Sequence, residues 1–115
     1  MGATAEQLSI ESRAEGGRLV MRLEGELDMA SAPLLKGALE RAAADTTSML
    51  VLDLNGLRFM DSTGLRTILW AREQMQSGGR EIALTVGSSQ VQRLLAVSGV
   101  GEHIRVVATP EELAF

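Results

Sequence analysis

Two hydroxyls and a carboxylate stand together in the run Phe59-Met60-Asp61-Ser62-Thr63-Gly64-Leu65. An apolar run at 49–54 precedes it and an amphipathic segment follows, so the pattern predicts a buried strand leading into the first turn of a helix. Backbone N–H groups point outward at a helix N-terminus, and the helix dipole favours negative charge there. The site could therefore bind a phosphate as a ligand or carry one covalently on a hydroxyl.

The same residues have an ordinary structural explanation. Ser62 and Thr63 are residue types that commonly cap helices. Asp61 is either a cap or a carboxylate held beside the hydroxyl. Gly64 lowers helix stability relative to Ala, and it leaves the backbone open for close approach by a partner. Spacing alone leaves both the cap and the switch open.

The single Trp of the chain belongs to the helix that follows. At 100° per residue, Trp70 and Arg66 fall opposite the apolar side formed by Leu65 and Ile68. We therefore expect Trp70 to be substantially exposed and close enough to lie against Arg66. An exposed Trp favours contact with a partner, because Trp is enriched at interface hot spots. The alternatives are that it folds back over the helix edge or fills a homodimer contact.

Catalysis finds little support in the residue types. His103 is the only His, and we interpret it as a surface or edge residue. Without Cys, and with its only His interpreted in this way, the sequence offers no evident nucleophile–base pair resembling a Ser/His/Asp triad. No cluster with metal-ligand spacing is visible in the sequence, and no cofactor is expected. We expect a protein that is not an enzyme.

Composition narrows the class of partner and the location. A net charge of −4 and only 3% aromatic residues argue against nucleic acid, which needs a basic footprint and favours stacking platforms. The lack of Cys fits a reducing cytoplasm. The sequence shows neither a signal peptide at its start nor an apolar run of the roughly 18 residues that would suggest a membrane span. A cytoplasmic protein without membrane insertion is expected.

The elements that position the site follow the order β-β-α-β-α-β-α-β-α. This pattern predicts one α/β domain at residues 8–115, after a tail at 1–7, with about four helices and about five strands. The first two strands form an antiparallel hairpin and the rest of the sheet is parallel. The first helix runs from a Ser31 cap to about Asp45, and a short last helix opens at Thr109. The central strand at 49–54 is expected to carry helices on both sides and to break at Asn55-Gly56.

Several segments of the chain resemble the STAS domain of anti-sigma factor antagonists. The resemblance covers residues 8–113, and Met60-Asp61-Ser62-Thr63-Gly64-Leu65 is its most specific part, in the expected strand-to-helix position. The other matching segments are Gly25-Glu26-Leu27-Asp28, Val51-Leu52-Asp53-Leu54, Gly78-Gly79, Val91-Gln92-Arg93-Leu94-Leu95 and Ser98-Gly99-Val100.

The resemblance implies a non-enzymatic switch that binds an anti-sigma factor and thereby frees a sigma factor. In that family the anti-sigma factor is also an ATP-dependent serine kinase. Its target would be Ser62, with Thr63 the lesser candidate, and a phosphatase would reset the site. Asp28 and Asp61 would flank the acceptor at the kinase interface. ATP would belong to the partner.

One departure from the family leaves alternatives open. Relatives commonly carry Gly where this chain has Arg66 and Trp70, so the partner either has a matching pocket or differs from the usual kinase. The first rival is a STAS scaffold that binds constitutively within a signalling or lipid-transport complex. The second is a nucleotide or small-molecule sensor that uses the helix N-terminus as an anion site.

Overall fold

A computed structural model of the protein describes residues 7–42 and 48–113. Its strands are β1 (Leu8–Glu15), β2 (Arg18–Leu27), β3 (Met49–Met60), β4 (Glu81–Thr85) and β5 (Arg105–Val107). Its helices are α1 (Ala32–Ala42), α2 (Ser62–Ser77) and α3 (Ser89–Ser98), and 3-10 turns cover Val100–Glu102 and Pro110–Glu112. Residues 1–6 of the predicted tail and 43–45 of the predicted first helix lie outside the described residues.

The five strands form one sheet in the order β1-β2-β3-β4-β5. β1 and β2 are antiparallel, and every later strand is parallel to its neighbours. The hairpin turns at Gly16 and Gly17, whose φ angles of 60° and 82° suit the two-residue turn that matches strand twist. The predicted α/β domain, with its antiparallel hairpin and otherwise parallel sheet, is confirmed.

The main hydrophobic core lies between the sheet and the three α-helices. Alternate residues of the central strands point into it, among them Leu50, Leu52 and Leu54 of β3. The helices contribute apolar residues to the same cluster, namely Leu35 and Leu39, Leu65, Ile68, Ala71 and Met75, and Val91 and Leu95.

The opposite face of the sheet carries a smaller cluster, in which Val20, Val51 and Ala83 are covered by Leu113 near the C-terminus. The expectation of helices on both sides of β3 is therefore wrong for the residues the structure describes. The physical reason is topological. Sheet order follows chain order, so right-handed crossovers place every connecting helix on one face.

β3 is longer than the sequence predicts. Asn55-Gly56 does not break it, and the strand continues to Met60 with shifts in its pairing to β2. Gly56 is what permits this course, because a Cβ there would lie 2.7 Å from Cγ of Glu24. Pairing between β3 and β4 ends at Leu52 and Leu84. The last residues of β3 therefore extend beyond β4.

A buried polar pair lies where β3 and β4 separate. Asp53 is 5% exposed and Thr85 is fully buried. The Thr85 hydroxyl donates to Oδ1 of Asp53 at 2.8 Å and accepts from the backbone N–H of Leu54 at 2.8 Å. The Asn55 N–H donates to the same carboxylate oxygen at 3.1 Å. This network satisfies a carboxylate inside the sheet, which would otherwise be costly to bury.

α2 and α3 both end at glycine, whereas the last predicted helix is a shorter element. α2 ends before Gly78-Gly79, and α3 begins after a Ser88 cap and ends before Gly99 in the left-handed conformation. The last predicted helix is a 3-10 turn, Pro110–Glu112, closed by a capping box between Thr109 and Glu112.

Candidate functional site

Asp61, and not one of the hydroxyls, is the N-cap of α2. Its backbone is extended, with φ −107° and ψ −175°, and its Oδ1 accepts from the N–H of Gly64 at 3.0 Å. Ser62 is the first residue of the helix and is exposed. The strand-to-helix placement predicted from sequence is confirmed, and of the two roles considered for Asp61 the structure shows the cap. The Ser62 hydroxyl is thus presented at the positive end of a 16-residue helix.

The second oxygen of the Asp61 carboxylate reaches the loop between β2 and α1. Oδ2 accepts from the backbone N–H of Met29 at 3.2 Å. The backbone N–H of Asp61 donates to the carbonyl oxygen of Leu27 at 3.1 Å, which extends the pairing between β2 and β3. One residue therefore ties the helix N-terminus, the end of β2 and the following loop together.

Asp28 organises that loop from within. Its Oδ1 accepts from the backbone N–H groups of Ala30 at 2.9 Å and Ser31 at 3.2 Å, and its Oδ2 accepts from the side-chain amide of Gln7. Such a turn holds the chain just before α1. Asp28 and Asp61 thus stand on two loops that are joined through Met29, one residue beyond Asp28.

The Ser31 hydroxyl forms hydrogen bonds within the loop between β2 and α1, whereas the sequence predicts a helix cap. It donates to the carbonyl oxygen of Glu26 at 2.8 Å and accepts from the backbone N–H of Asp28 at 3.0 Å. Both contacts fold the loop back onto β2. The helix does start directly after Ser31, as the sequence predicts.

Gly64 is buried, and its close neighbour is the protein's own chain. A Cβ at this position would lie 2.7 Å from Cγ and 2.9 Å from the carbonyl oxygen of Leu27. The missing side chain therefore lets α2 approach β2. The interpretation of Gly64 as an opening for a partner is replaced by this intramolecular contact.

Thr63 and Arg66 form a small polar group beside Ser62. An Nη of Arg66 donates to Oγ1 of Thr63 at 3.3 Å, and the Thr67 hydroxyl donates to the carbonyl oxygen of Thr63 at 3.0 Å. Arg66 is exposed and Thr63 is half-buried. Of the two hydroxyls, Ser62 is therefore the more accessible.

Trp70 is not substantially exposed, so this expectation is wrong. The ring is half-buried and packs against the main core. Nζ of Lys36, on α1, lies 5.0 Å from the ring centroid, so the structure pairs Trp70 with Lys36 and not with Arg66. The reason is tertiary. α1 runs alongside α2 and covers the helix edge that the helical pattern left to solvent. The alternative in which Trp70 folds back over the helix edge fits better.

Gln90, which the sequence did not single out, contacts the strand end just before Asp61. Its Oε1 accepts from the backbone N–H of Met60 at 3.0 Å, and its Nε2 donates to the carbonyl oxygen of Met60 at 2.9 Å. Ser88 adds two hydrogen bonds to the same stretch. Its hydroxyl donates to the Arg58 carbonyl oxygen at 2.8 Å, and its backbone N–H donates to the Leu57 carbonyl oxygen at 3.4 Å. No local sequence pattern reveals these long-range bonds.

Two large apolar side chains are exposed near the N-terminus of α2. Met29 is 74% exposed beside Asp61, and Phe59 is 40% exposed at the end of β3.

Within residues 7–42 and 48–113, no group of three His, Cys, Asp or Glu side chains is arranged to hold a metal ion. None of the described helices is long and apolar enough to cross a membrane. Glu26 contacts Arg58, whereas Asp28 accepts hydrogen bonds within its own loop.

The comparison with family models decides the family. The family model of the STAS domain matches residues 9–113, which is nearly the whole chain. This protein belongs to the STAS domain family. Among its curated relatives is the anti-sigma F factor antagonist of Paenibacillus polymyxa, which is 35% identical to it over 94 residues. The match covers 81% of this chain and 80% of that one.

Solved structures of other proteins share the fold. An anti-sigma factor antagonist from Mycobacterium paratuberculosis superposes with a TM-score of 0.84 at 23% identity, covering 91% of this chain and 89% of the other. SpoIIAA in its unphosphorylated form gives 0.77 at 24% identity, with 90% and 91% covered. The phosphorylated form of SpoIIAA, from Bacillus, gives 0.70 at 23% identity, with 90% and 95% covered.

Proposed function

We propose that this protein is an anti-sigma factor antagonist, which binds an anti-sigma factor through the surface around Ser62 and so frees a sigma factor. The observation that carries the proposal is the 35% identity to the anti-sigma F factor antagonist of P. polymyxa. The match spans similar fractions of both chains, 81% and 80%, so most of that relative is accounted for by this domain. The proposed unit is the domain at residues 8–115, acting in the cytoplasm of a bacterium.

The proposal includes phosphorylation of Ser62 by the anti-sigma factor, acting as a serine kinase that carries its own ATP. Two observations support this acceptor. Ser62 is exposed at the N-terminus of α2, and it follows a cap that fixes the backbone at the preceding residue. A relative of the same fold, SpoIIAA, has a phosphorylated form. Thr63 is the weaker acceptor because it is half-buried and bonded to Arg66.

Phosphorylation would oppose binding through charge. A phosphoserine adds roughly −1.5 to −2 charges at neutral pH. The helix N-terminus tolerates that charge in the free protein, so the fold is kept. In a closed contact the same charge would lie near the Asp61 carboxylate and would have to lose its water. A loss of about 3 kcal/mol of binding free energy corresponds to more than a hundredfold weaker binding.

The protein itself then needs no catalytic group and no cofactor. The partner supplies the nucleotide and transfers the phosphoryl group, and a phosphoserine phosphatase removes it. Asp28, Asp61 and Arg66 would shape the surface around the acceptor. Trp70 would contribute by packing α2 against α1.

The test is a binding experiment in native-host extract with added ADP or ATP. Wild type, Ser62→Ala and Ser62→Asp serve as baits. Ser89→Asp is a matched control, because Ser89 is also an exposed first residue of an α-helix, α3. We expect an ATPase-fold kinase on wild type, Ser62→Ala and Ser89→Asp under ADP, and its loss from Ser62→Asp. Incubation with ATP should release it from wild type but not from Ser62→Ala.

Two other results would reject the switch. A partner held equally by all four baits, whatever the nucleotide, would point to a constitutive scaffold. Thermal stabilisation of the purified protein by nucleotides, without any kinase partner, would point to a nucleotide sensor at the helix N-terminus.

A further inference from the structure

The last residues of β3 lack a strand partner on the β4 side. Pairing with β4 ends at Leu52, whereas β3 continues to Met60. The chain at the start of α3 takes the place of a strand there, through the contacts of Ser88 and Gln90 with residues 57–60. Gly87 permits this close approach, because a Cβ there would lie 2.7 Å from the carbonyl oxygen of Leu54.

Gln90 makes the last of these contacts and bonds both backbone groups of one residue. Its amide accepts from the Met60 N–H at 3.0 Å and donates to the Met60 carbonyl oxygen at 2.9 Å. A carboxamide has one acceptor and one donor side, so it can reproduce the pair of bonds that a neighbouring strand would form. On the other edge, the Asp61 N–H is held by the Leu27 carbonyl oxygen at 3.1 Å.

We propose that Gln90 is a positioning residue for the phosphoacceptor site, acting through the Met60 backbone to fix Asp61 and Ser62. This inference rests on the proposed function. Met60 precedes the cap and lies two residues before Ser62, so a rotation of its peptide groups moves the acceptor hydroxyl. Group transfer is sensitive to displacements of about 1 Å, so holding the strand end on both edges favours the reaction.

Two substitutions test the inference. Gln90→Ala removes both bonds to Met60. Gln90→Glu keeps an acceptor for the Met60 N–H but sets an oxygen against the Met60 carbonyl oxygen. The matched control is Gln92→Ala, because Gln92 lies on the same helix and bonds the Gly87 carbonyl oxygen at 3.0 Å, away from the strand end.

The first readout is amide hydrogen exchange, resolved by residue. Both Gln90 variants should exchange the amides of residues 60–64 about fivefold faster or more, since a lost hydrogen bond lowers local protection. The β4 amides at 82–84 serve as the internal reference for global stability and should keep their rates. Gln92→Ala should match wild type at 60–64.

The second readout is the phosphorylation of Ser62 by the kinase recovered in the binding experiment, with ATP. We expect kcat to fall about fivefold in both Gln90 variants with a smaller change in KM, because the acceptor is misplaced. Unchanged exchange at 60–64, or the same change in Gln92→Ala, overturns the inference. So does an unchanged kcat in Gln90 variants when wild type is phosphorylated. If wild type is not phosphorylated at all, the proposed function fails, while the exchange result still decides whether Gln90 positions the site.

Discussion

Asp61 and Met29 are joined by a hydrogen bond from the Met29 backbone N–H to Oδ2 of Asp61, at 3.2 Å. The other carboxylate oxygen caps α2 through the Gly64 N–H at 3.0 Å. A single side chain therefore sets the first turn of α2 and the loop before α1 in one arrangement. Ser62 follows Asp61 directly, so its backbone position depends on the pairing of two loops as well as on the helix.

Asp61→Ala should lower the free energy of unfolding by about 1 to 2 kcal/mol, because both the cap and the bond to Met29 are lost. Asp61→Asn is the control, since its side-chain oxygen can still accept from the Gly64 N–H. Denaturant unfolding measures both. Equal stability of Asp61→Ala and wild type would contradict the role of Asp61 as the cap.

Gly64→Ala should destabilise the protein by about 1 to 3 kcal/mol, because the added Cβ would overlap Leu27. Gly37→Ala is the control on α1, where the nearest atom to a new Cβ is an Arg41 guanidinium nitrogen at 3.6 Å. That variant should be more stable than wild type by up to about 1 kcal/mol, from helix propensity. Unfolding transitions of the two variants should therefore shift in opposite directions. Two shifts of the same sign would remove the steric explanation.

Trp70→Ala should cost about 2 kcal/mol, roughly half of the value for a fully buried Trp, because the ring is half-buried between α1 and α2. Arg66→Ala, on the exposed part of the same helix, should change stability by less than about 0.5 kcal/mol. Lys36→Ala should also alter the fluorescence of Trp70, the only Trp, because it removes the cation above the ring. An emission spectrum of a fully solvated indole in wild type would favour the exposed Trp70 that the sequence predicts.

Thr85→Val should destabilise the protein by about 1 to 3 kcal/mol, because it leaves the Leu54 N–H without its acceptor and removes a donor to the buried Asp53. Val replaces Thr at nearly equal volume, so the loss reports hydrogen bonding and not packing. Thr67→Val should cost less than about 1 kcal/mol, because the Thr67 hydroxyl donates to the Thr63 carbonyl oxygen within the same helix. Comparable losses in both variants would contradict a larger stabilisation of the fold by the Asp53–Thr85 network.

The fold and the location of the site were predictable because their signals are local. Alternating apolar residues, paired glycines and the strand-to-helix run at 59–65 specify elements within a few residues of themselves. The end of β3 is not predictable in this way because Asn55-Gly56 is a strong turn signal, and the pairing with β2 that overrides it, with Gly56 opposite Glu24, joins distant residues. Trp70 was misplaced for a similar reason, since the helix that covers it is distant in sequence.

The site itself was only partly visible in the sequence. The residue types around Ser62 indicate an anionic or phosphorylated helix N-terminus and leave the cap open between Asp61 and the hydroxyls, and the structure assigns it to Asp61. The absent side chain of Gly64 makes room for Leu27. Gln90 carried no signal at all, because its contact to Met60 joins residues 30 positions apart. Local patterns locate a site, whereas the contacts that hold it come from the packing of distant elements.

The most direct measurement is the affinity of the anti-sigma factor recovered under ADP for two forms of this protein, unmodified and carrying phosphoserine at position 62. We expect the phosphoserine form to bind more than a hundredfold more weakly, corresponding to about 3 kcal/mol or more. Its circular dichroism and unfolding midpoint should stay close to those of the unmodified form. Equal affinities of the two forms would contradict the proposed phosphorylation switch at Ser62.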